Sequence, residues 1–455
     1  MPNQGNSRRK FIKQLGVTTA AIAGSKFLAA NLPNTERSFS TMVRQNVSSP
    51  NNNLQIALIG AGGMGVSDTT TALQHQGIKL VAVADLYDGR LKAAKDRWGQ
   101  DIFTTRDYRA LLNRADIDAV IVATPDFWHE KISVDALLSG KSVYCEKPMV
   151  HSITEGHNVI EAQKKSGKVF VVGSQGLSSL GNQKAKELLA QGAIGKITFA
   201  EGFWARHSPV GAWQYAIPAD ASPATVDWDA YLKDKKKYEF DLLRFFRWRN
   251  YLDYGTGMSG DLFVHLFSSL HFITNSKGPN KVYASGGLRY WKDGREVPDV
   301  LVGVFDYPEN QDHPGFNLSL RCNFVDGTSG TTYLKIVGTE GSMDVLWDEV
   351  IVRRNKESEE DDPFAKEKAR ENNSAYADRK TMLPPEEVVY TAEKGYKGAH
   401  YDHFASFFNA IRTGSPVVED AIFGFRASAP ALLCNDSYAK NEAIKWNPEK
   451  MILTN

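Results

Sequence analysis

Cysteine is scarce in this 455-residue chain: Cys145, Cys322 and Cys434 are the only three, and they stand far apart. Their separation offers neither a metal-ligand spacing nor a disulfide framework, and no metal site is expected. No cysteine precedes position 145, so no lipoprotein anchor is expected either. Net charge is also nearly missing, at +1, which removes the electrostatic reason to expect a nucleic-acid partner. No stretch approaches the roughly 18 consecutive apolar residues that read as a membrane span, so the mature chain is expected to be free of the membrane. What remains is ordinary for a globular protein: 42% hydrophobic and 24% charged residues, with length enough for two or three domains.

Glycine is plentiful, at 37 residues, and four of these follow closely on an apolar run. Leu54 to Ile59 breaks into Gly60-Ala61-Gly62-Gly63-Met64-Gly65, a G-x-G-x-x-G pattern that reads as strand, turn and helix start. Gly60 serves a tight turn, Gly62 lets backbone approach a pyrophosphate, and Gly65 packs helix on strand. The N–H groups at the helix start, around Gly63 and Met64, then face the phosphates. An ordinary glycine-rich turn is the plainer alternative. A second apolar strand, Leu80 to Ala84, ends in Asp85, an acid placed to accept the hydroxyls of an adenosine ribose. That acid favours NAD over NADP, whose 2′-phosphate meets a like charge there, although the basic Arg90 lies nearby. Asp85 could equally serve a turn or cap the helix from Asp88 onward.

Helical and strand periods then alternate: a helix near 89–99, a short strand near Ile102, a helix near 108–113, and the strand Ala119 to Thr124. Such alternation predicts a parallel sheet with helices on both faces. Thr124-Pro125-Asp126-Phe127-Trp128-His129 follows a strand's carboxyl end, where ligands bind in open α/β sheets. As a lone histidine, His129 reads more readily as structural than chemical. The next strand delivers Glu146-Lys147-Pro148. A lysine there could donate to a substrate oxygen as negative charge develops, or simply pair with Glu146. A cis Lys147-Pro148 bond is one expectation the stiff turn raises.

In order and spacing, these signals resemble the Gfo/Idh/MocA oxidoreductases, a family that includes glucose-fructose oxidoreductase and inositol dehydrogenase. The residues that carry the resemblance are Gly60, Gly62, Gly65, Asp85, Thr124-Pro125-Asp126, His129 and Glu146-Lys147-Pro148. It continues through Val172-Gly173-Ser174-Gln175 and covers most of 54–450. The resemblance implies a cofactor side built from Gly60, Gly62, Gly63, Met64, Gly65, Asp85, Thr124, Pro125, His129, Glu146, Lys147 and Gln175, with Lys147 catalytic.

From Ile194 onward the character changes to β-rich runs, at 197–203, 282–288, 300–307, 316–324 and 331–337, separated by turn residues. They predict a mostly antiparallel sheet. The fold class is therefore an α/β N-terminal Rossmann domain (54–175) plus an α+β C-terminal domain (176–455) with a large, mostly antiparallel open sheet. The resemblance implies that one sheet face meets the cofactor domain and the other is available to a homo-oligomer. Within this half, a glycine-rich lead precedes Asp261 and His265, four residues apart and so on one face of a helix. By spacing alone, a cap and a packed histidine suffice; the resemblance makes His265 a general base, with Asp261 binding a substrate hydroxyl or orienting the imidazole. Aromatic residues crowd 199–254, Trp204 among them, and could stack on sugar faces, although aromatics are usually core. Arg206, His207, Arg247 and Arg249 are candidate polar contacts; if the segment is extended, Arg247 and Arg249 share a side. Residues 353–398 read as a polar, solvated insertion.

The N-terminus resembles a twin-arginine export signal: Ser7-Arg8-Arg9-Lys10-Phe11, then a mild apolar run from Leu15 to Gly24, with no acid in the first 30 residues. A basic tail is the alternative. Residues 1–30 are thus read as a signal for export of the folded protein to the periplasm, and 31–53 as an Asn- and Ser-rich linker. The combined reading is an exported NAD-dependent oxidoreductase acting on a secondary hydroxyl of a sugar or cyclitol, with the cofactor held and recycled because no free pool is expected there. A redox-neutral glycosidase, working by oxidation, elimination, hydration and re-reduction, is the alternative enzyme; a non-catalytic sugar- or NAD-binding protein is the third reading.

Overall fold

The computed structural model describes residues 35–39, 53–233, 238–328, 330–355 and 384–454. The segment read as an export signal lies outside these, as do most of the expected linker and the middle of the polar insertion. Among the described residues no helix is long and apolar enough to cross a membrane. All three cysteines are buried and free.

The first described strand, Thr35–Phe39 (β1), joins a sheet formed by the second half of the chain. Leu54–Ile59 (β2), Ile78–Ala84 (β3), Phe103–Thr105 (β4), Ala119–Val122 (β5), Ser142–Cys145 (β6) and Phe170–Val172 (β7) make a six-stranded parallel sheet in the order β4-β3-β2-β5-β6-β7. β5 and β6 are buried at every residue, which a parallel sheet covered on both faces requires. The covering helices here are Gly63–Ala72 (α1), Asp88–Trp98 (α2), Tyr108–Leu112 (α3), His129–Leu138 (α4) and Gly156–Ser166 (α5).

Leu180–Ala190 (α6) leads into the second layer. Ile197–Ala205 (β8), Lys281–Gly287 (β9), Val300–Tyr307 (β10), Phe316–Asn323 (β11), Thr332–Gly338 (β12), Gly341–Val345 (β13), Glu349–Arg354 (β14), Glu386–Ala392 (β15), Ile444–Asn447 (β16) and Ile452–Leu453 (β17) form, with β1, an eleven-stranded sheet. Its pairs are antiparallel except β1 with β15 and β8 with β11. Strict alternation marks the half-buried strands: Leu301 and Phe305 of β10 face the core, whereas Val302 and Val304 are exposed.

The order of the two layers along the chain is as the sequence implies, but two segments differ from expectation. Part of the expected linker, Thr35–Phe39, is an edge strand paired with Val388–Ala392. The two ends of the expected polar insertion are also strands: β14 and β15 pair antiparallel, and Arg353 bridges Glu387 at 2.9 Å. Their charged residues point outward between buried Val350, Val352 and Val389, so composition alone reads as loop while the period-2 pattern makes half-buried strands.

Two late helices tie the layers together. Ala399–Thr413 (α10) sets Phe404, Phe407 and Phe408 into the core of the parallel sheet, with Phe404 stacked on Tyr144 at 4.3 Å. Ala421–Lys440 (α11) runs between the layers: Gly424 lies against Val172 of β7, and Cys434 against Gly303 of β10.

Candidate active site

Where the strands of the parallel sheet end, three turns build one wall of a cavity of about 1150 Å³. At the end of β2, Gly60 adopts a φ of +95°, and a Cβ there would stand 2.6 Å from the Ala123 carbonyl. At Gly65 a Cβ would lie 2.0 Å from the Gly60 carbonyl oxygen, so only glycine lets α1 approach β2 this closely. Gly62 and Gly63 have no backbone against them and border the cavity with Met64. That open, side-chain-free approach to the N-terminus of α1 suits the pyrophosphate of a dinucleotide. Asp85 closes the same corner. Its carboxylate accepts from Ala61 N at 2.8 Å and Tyr87 N at 2.9 Å, and Arg90 stands 3.5 Å away.

The adenosine end is roofed by the second half of the chain. Trp228–Leu232 (α7) and Leu242–Phe246 (α8) contribute Tyr231, Phe245 and Phe246 to the cavity lining. This roof is fastened by a bridge between Tyr87 and Val226 and by the Tyr87 hydroxyl, which donates to Asp220. The aromatic crowding of 199–254 drew attention to this segment but not to its place over Asp85, because the pairing joins positions more than 130 apart.

At the β5 end, Thr124 and Pro125 line the cavity, and Asp126 accepts from Thr256 N and Oγ1. His129 lines it too, with Nδ1 2.7 Å from the Pro148 carbonyl and Nε2 2.9 Å from the Thr124 carbonyl. Both partners can only accept, so both ring nitrogens donate, and the ring is held as an imidazolium. Burial disfavours that charge, but the Cys145 sulfur, Asp126 and the Pro148 carbonyl outweigh it and push the pKa up to about 10. His129 therefore staples two loops together. At the β6 end, burial and the neighbouring Asp68 push the Glu146 carboxyl up to about 8, and Gln175 donates to it at 2.8 Å. The following Lys147-Pro148 peptide is cis.

The opposite wall comes from the second layer. The helix that bears Asp261 and His265 begins with a π turn, Ser259–Phe263, and continues as Val264–Thr274 (α9); such turns concentrate at functional sites. Lys147 Nζ donates to Asp261 Oδ1 and to the Asp261 carbonyl, both at 2.8 Å, and Arg249 Nε donates to the same Oδ1 at 3.1 Å. Burial works against the Asp261 charge, but Lys147 and then Arg249 hold its carboxyl far below the usual range. Its carboxylate is thus engaged by these two cations and not by the imidazole. Instead, His265 is positioned by Trp204, whose ring stacks on it at 5.3 Å, while its Nδ1 is buried with no hydrogen-bond partner among the described residues. Burial first, and Lys147 second, push the His265 pKa down to about 3, so the ring is neutral and able to accept a proton.

The expected substrate contacts separate. Trp204, Arg206, Lys147, Asp261 and His265 share the cavity, together with Tyr215 and Trp248. Arg247 does not line it: its guanidinium donates to Gln214 and the Tyr215 carbonyl, holding that loop. The segment is not extended but a 3₁₀ turn, Trp248–Asn250, so Arg247 and Arg249 diverge and Arg249 alone enters the cavity. Trp213 and Trp228 pack instead against Phe324 and Tyr231. Trp347, at the turn between β13 and β14, lines the cavity beside Gly176; those strands were not expected, so neither was it.

A family model described as the oxidoreductase family with an NAD-binding Rossmann fold (GFO_IDH_MocA) matches residues 54–174, and one for the GFO/IDH/MocA C-terminal domain matches 182–344. Together they span more than half of the chain. An inositol 2-dehydrogenase of Salmonella paratyphi B is 32% identical over 152 residues, 33% of this chain and 45% of that protein. A protein of a Shewanella species called glycosyl hydrolase family 109 protein 2 is 30% identical over 167 residues, 34% of this chain and 37% of that protein. Less than half the length of either relative is matched. Among solved structures, a levoglucosan dehydrogenase in complex with NADH and levoglucosan has a TM-score of 0.61 at 19% identity, covering 86% of this chain and 99% of that one; at that identity the likeness is one of fold.

Proposed function

The chain belongs to the Gfo/Idh/MocA oxidoreductase family, and from that premise we propose that it oxidises a secondary hydroxyl of a sugar or cyclitol with a bound nicotinamide dinucleotide, NAD rather than NADP. The observation that carries this reading is the meeting of Lys147, Asp261 and His265 in the cavity that the glycine turn opens onto. When bound, the dinucleotide supplies the hydride acceptor. Asp261 anchors the Lys147 ammonium, whose remaining donor capacity steadies the substrate oxygen as it becomes a carbonyl. His265, kept neutral, receives the hydroxyl proton. Asp85 at the ribose corner supports the preference for NAD, tempered by Arg90.

Replacement of His265 with Asn is expected to lower turnover by about 10²- to 10⁴-fold. The pH profile of kcat/KM gives an independent check, because it reports the free enzyme. With its pKa near 3, His265 is neutral at every pH well above that value. The acid limb should therefore lie below the ordinary histidine value, and a limb that persists unchanged in the residual activity of the Asn variant would remove His265 from the role of base.

We also infer export, from Arg8, Arg9 and Phe11, and assembly with further copies of the chain. Exposed Phe199, Tyr283, Val302 and Val304 on the outer face of the large sheet support the latter. Export calls for a cofactor that stays bound, and the roof of Tyr231, Phe245 and Phe246 supports retention. A second reading, the redox-neutral glycosidase, draws on the relative called a glycosyl hydrolase. Mass spectrometry of denatured, purified protein should find NAD. Incubation with nitrophenyl glycosides and no added NAD decides between the readings: release of nitrophenol requires the eliminating route, and its absence leaves the oxidoreductase.

A further inference from the structure

Cations outnumber anions in the substrate half of the cavity. Lys147 and Arg249 both spend a donor on the one Asp261 oxygen. Arg249 bonds through Nε alone; its Nη groups have no acceptor among the described residues, and its guanidinium lies over the Trp248 ring at 4.1 Å. Arg206 is exposed at the cavity, with no side-chain acceptor among the described residues. Arg206 follows directly on the last residue of β8, the strand whose Trp204 stacks on His265. Its charge reaches both His265 and Asp261. Asp126, a second carboxylate whose charge reaches Arg249, is already engaged by Thr256. Glu146, beside Lys147, is pushed toward its neutral form by burial and Asp68 and accepts from Gln175; the other acids of the cavity are tied down at the adenosine end: Asp85 by Ala61 and Tyr87, Asp107 by Arg109, Asp227 by Ala230.

We propose that the substrate of this site is an acidic sugar, a uronic acid or its glycoside, whose carboxylate is taken by Arg206 and by the free Nη groups of Arg249. The inference rests on the sugar-oxidising reading above and narrows its substrate class. A neutral sugar seals surplus positive charge beneath it, and burying an unpaired charge is costly. A carboxylate cancels that surplus, and its two oxygens match the planar guanidinium fork. The aromatic rings of Trp204, Trp248 and Tyr215 leave the apolar faces of the ring something to lie on. The carboxylate acts on the base as well. Arg206 is one of the charges that keep His265 from taking a proton, and an anion on that guanidinium lifts part of the restraint.

The test is a calorimetric titration of the purified protein with matched methyl glycosides: glucuronide against glucoside, galacturonide against galactoside, mannuronide against mannoside. In at least one pair the acidic member should bind about 10- to 100-fold more tightly. Arg206→Gln should collapse that ratio toward one, and Arg206→Lys should restore part of it. Equal or tighter binding of every neutral member, no binding by any acidic one, or an unchanged ratio in Arg206→Gln would overturn the proposal. Following nicotinamide absorbance on the same panel separates the two layers of argument. Acidic sugars that bind through Arg206 without any redox signal would retire the oxidation reading alone, whereas oxidation confined to neutral sugars would retire the charge proposal alone.

Discussion

Substitution of Lys147 with Met is expected to cut turnover by about 10²- to 10⁴-fold without emptying the site of its dinucleotide. Lys147 Nζ makes two bonds at 2.8 Å, both to Asp261, one to the carboxylate and one to the main chain. Methionine keeps the apolar stem but brings no donor to the substrate oxygen, so stabilisation of developing charge is what disappears. Asp261 does not become an unpaired buried anion in this variant, because Arg249 remains 3.1 Å from the same oxygen. The fold should therefore hold, and a melting curve close to that of the parent is part of the expected result. Steady-state rates, with the retained cofactor quantified by mass spectrometry, give the measurement. Parental activity in the variant would take Lys147 out of the mechanism.

The second large effect is expected at Gly65, far from the reacting carbon. Gly65→Val places a Cβ 2.0 Å from the Gly60 carbonyl oxygen, 3.0 Å from Leu58 Cδ1 and 3.2 Å from Ala123 Cβ. The first of these is main chain and cannot swing aside, so α1 must lift from the sheet. Overpacking of this kind costs about 1 to 3 kcal/mol, and the lifted helix carries its N-terminal N–H groups away from the phosphates. The variant should purify without a dinucleotide and melt at a lower temperature. Cofactor content after denaturation checks the first outcome and calorimetry the second; full cofactor content would show that α1 does not need this contact. Gly62→Ala is the informative contrast, since the nearest atoms to a Cβ there are those of the Arg90 guanidinium, at 3.8 Å.

Much of the site was legible because its parts are local. Gly60, Gly62 and Gly65 lie within six residues, Glu146 and Lys147 follow directly on a strand, and Asp261 and His265 share one helix. For the glycines a short spacing carries a stereochemical demand that a single sequence is enough to read; Lys147, Asp261 and His265 stood out through the family resemblance, since spacing alone is met by an ion pair, a cap and a packed histidine. Where a reading depended on distant partners it failed or stayed open. Asp261 was expected as a cap by spacing alone, and through the resemblance as a contact for a substrate hydroxyl or for the imidazole; Lys147, 114 residues away, takes it. Arg247 and Arg249 look equivalent in the chain, and only the 3₁₀ turn between them sends one to the cavity and the other to Gln214. His129, an ambiguous lone histidine, is held between two carbonyls, one of them nineteen residues on.

The sequence by itself determined the parallel sheet and the dinucleotide turn, because periodicity and glycine geometry act over a few residues, and through the family resemblance it named the candidate residues Lys147, Asp261 and His265. Tertiary structure decided which of those side chains meet, what roofs the adenosine end and which strands complete the large sheet. β1 pairs with β15 across some 350 residues, Tyr87 bridges to Val226, and Trp347 reaches the cavity from a hairpin. Those contacts are settled by burial and by the pairing of backbone groups between distant segments, and no local pattern encodes which distant segment will arrive.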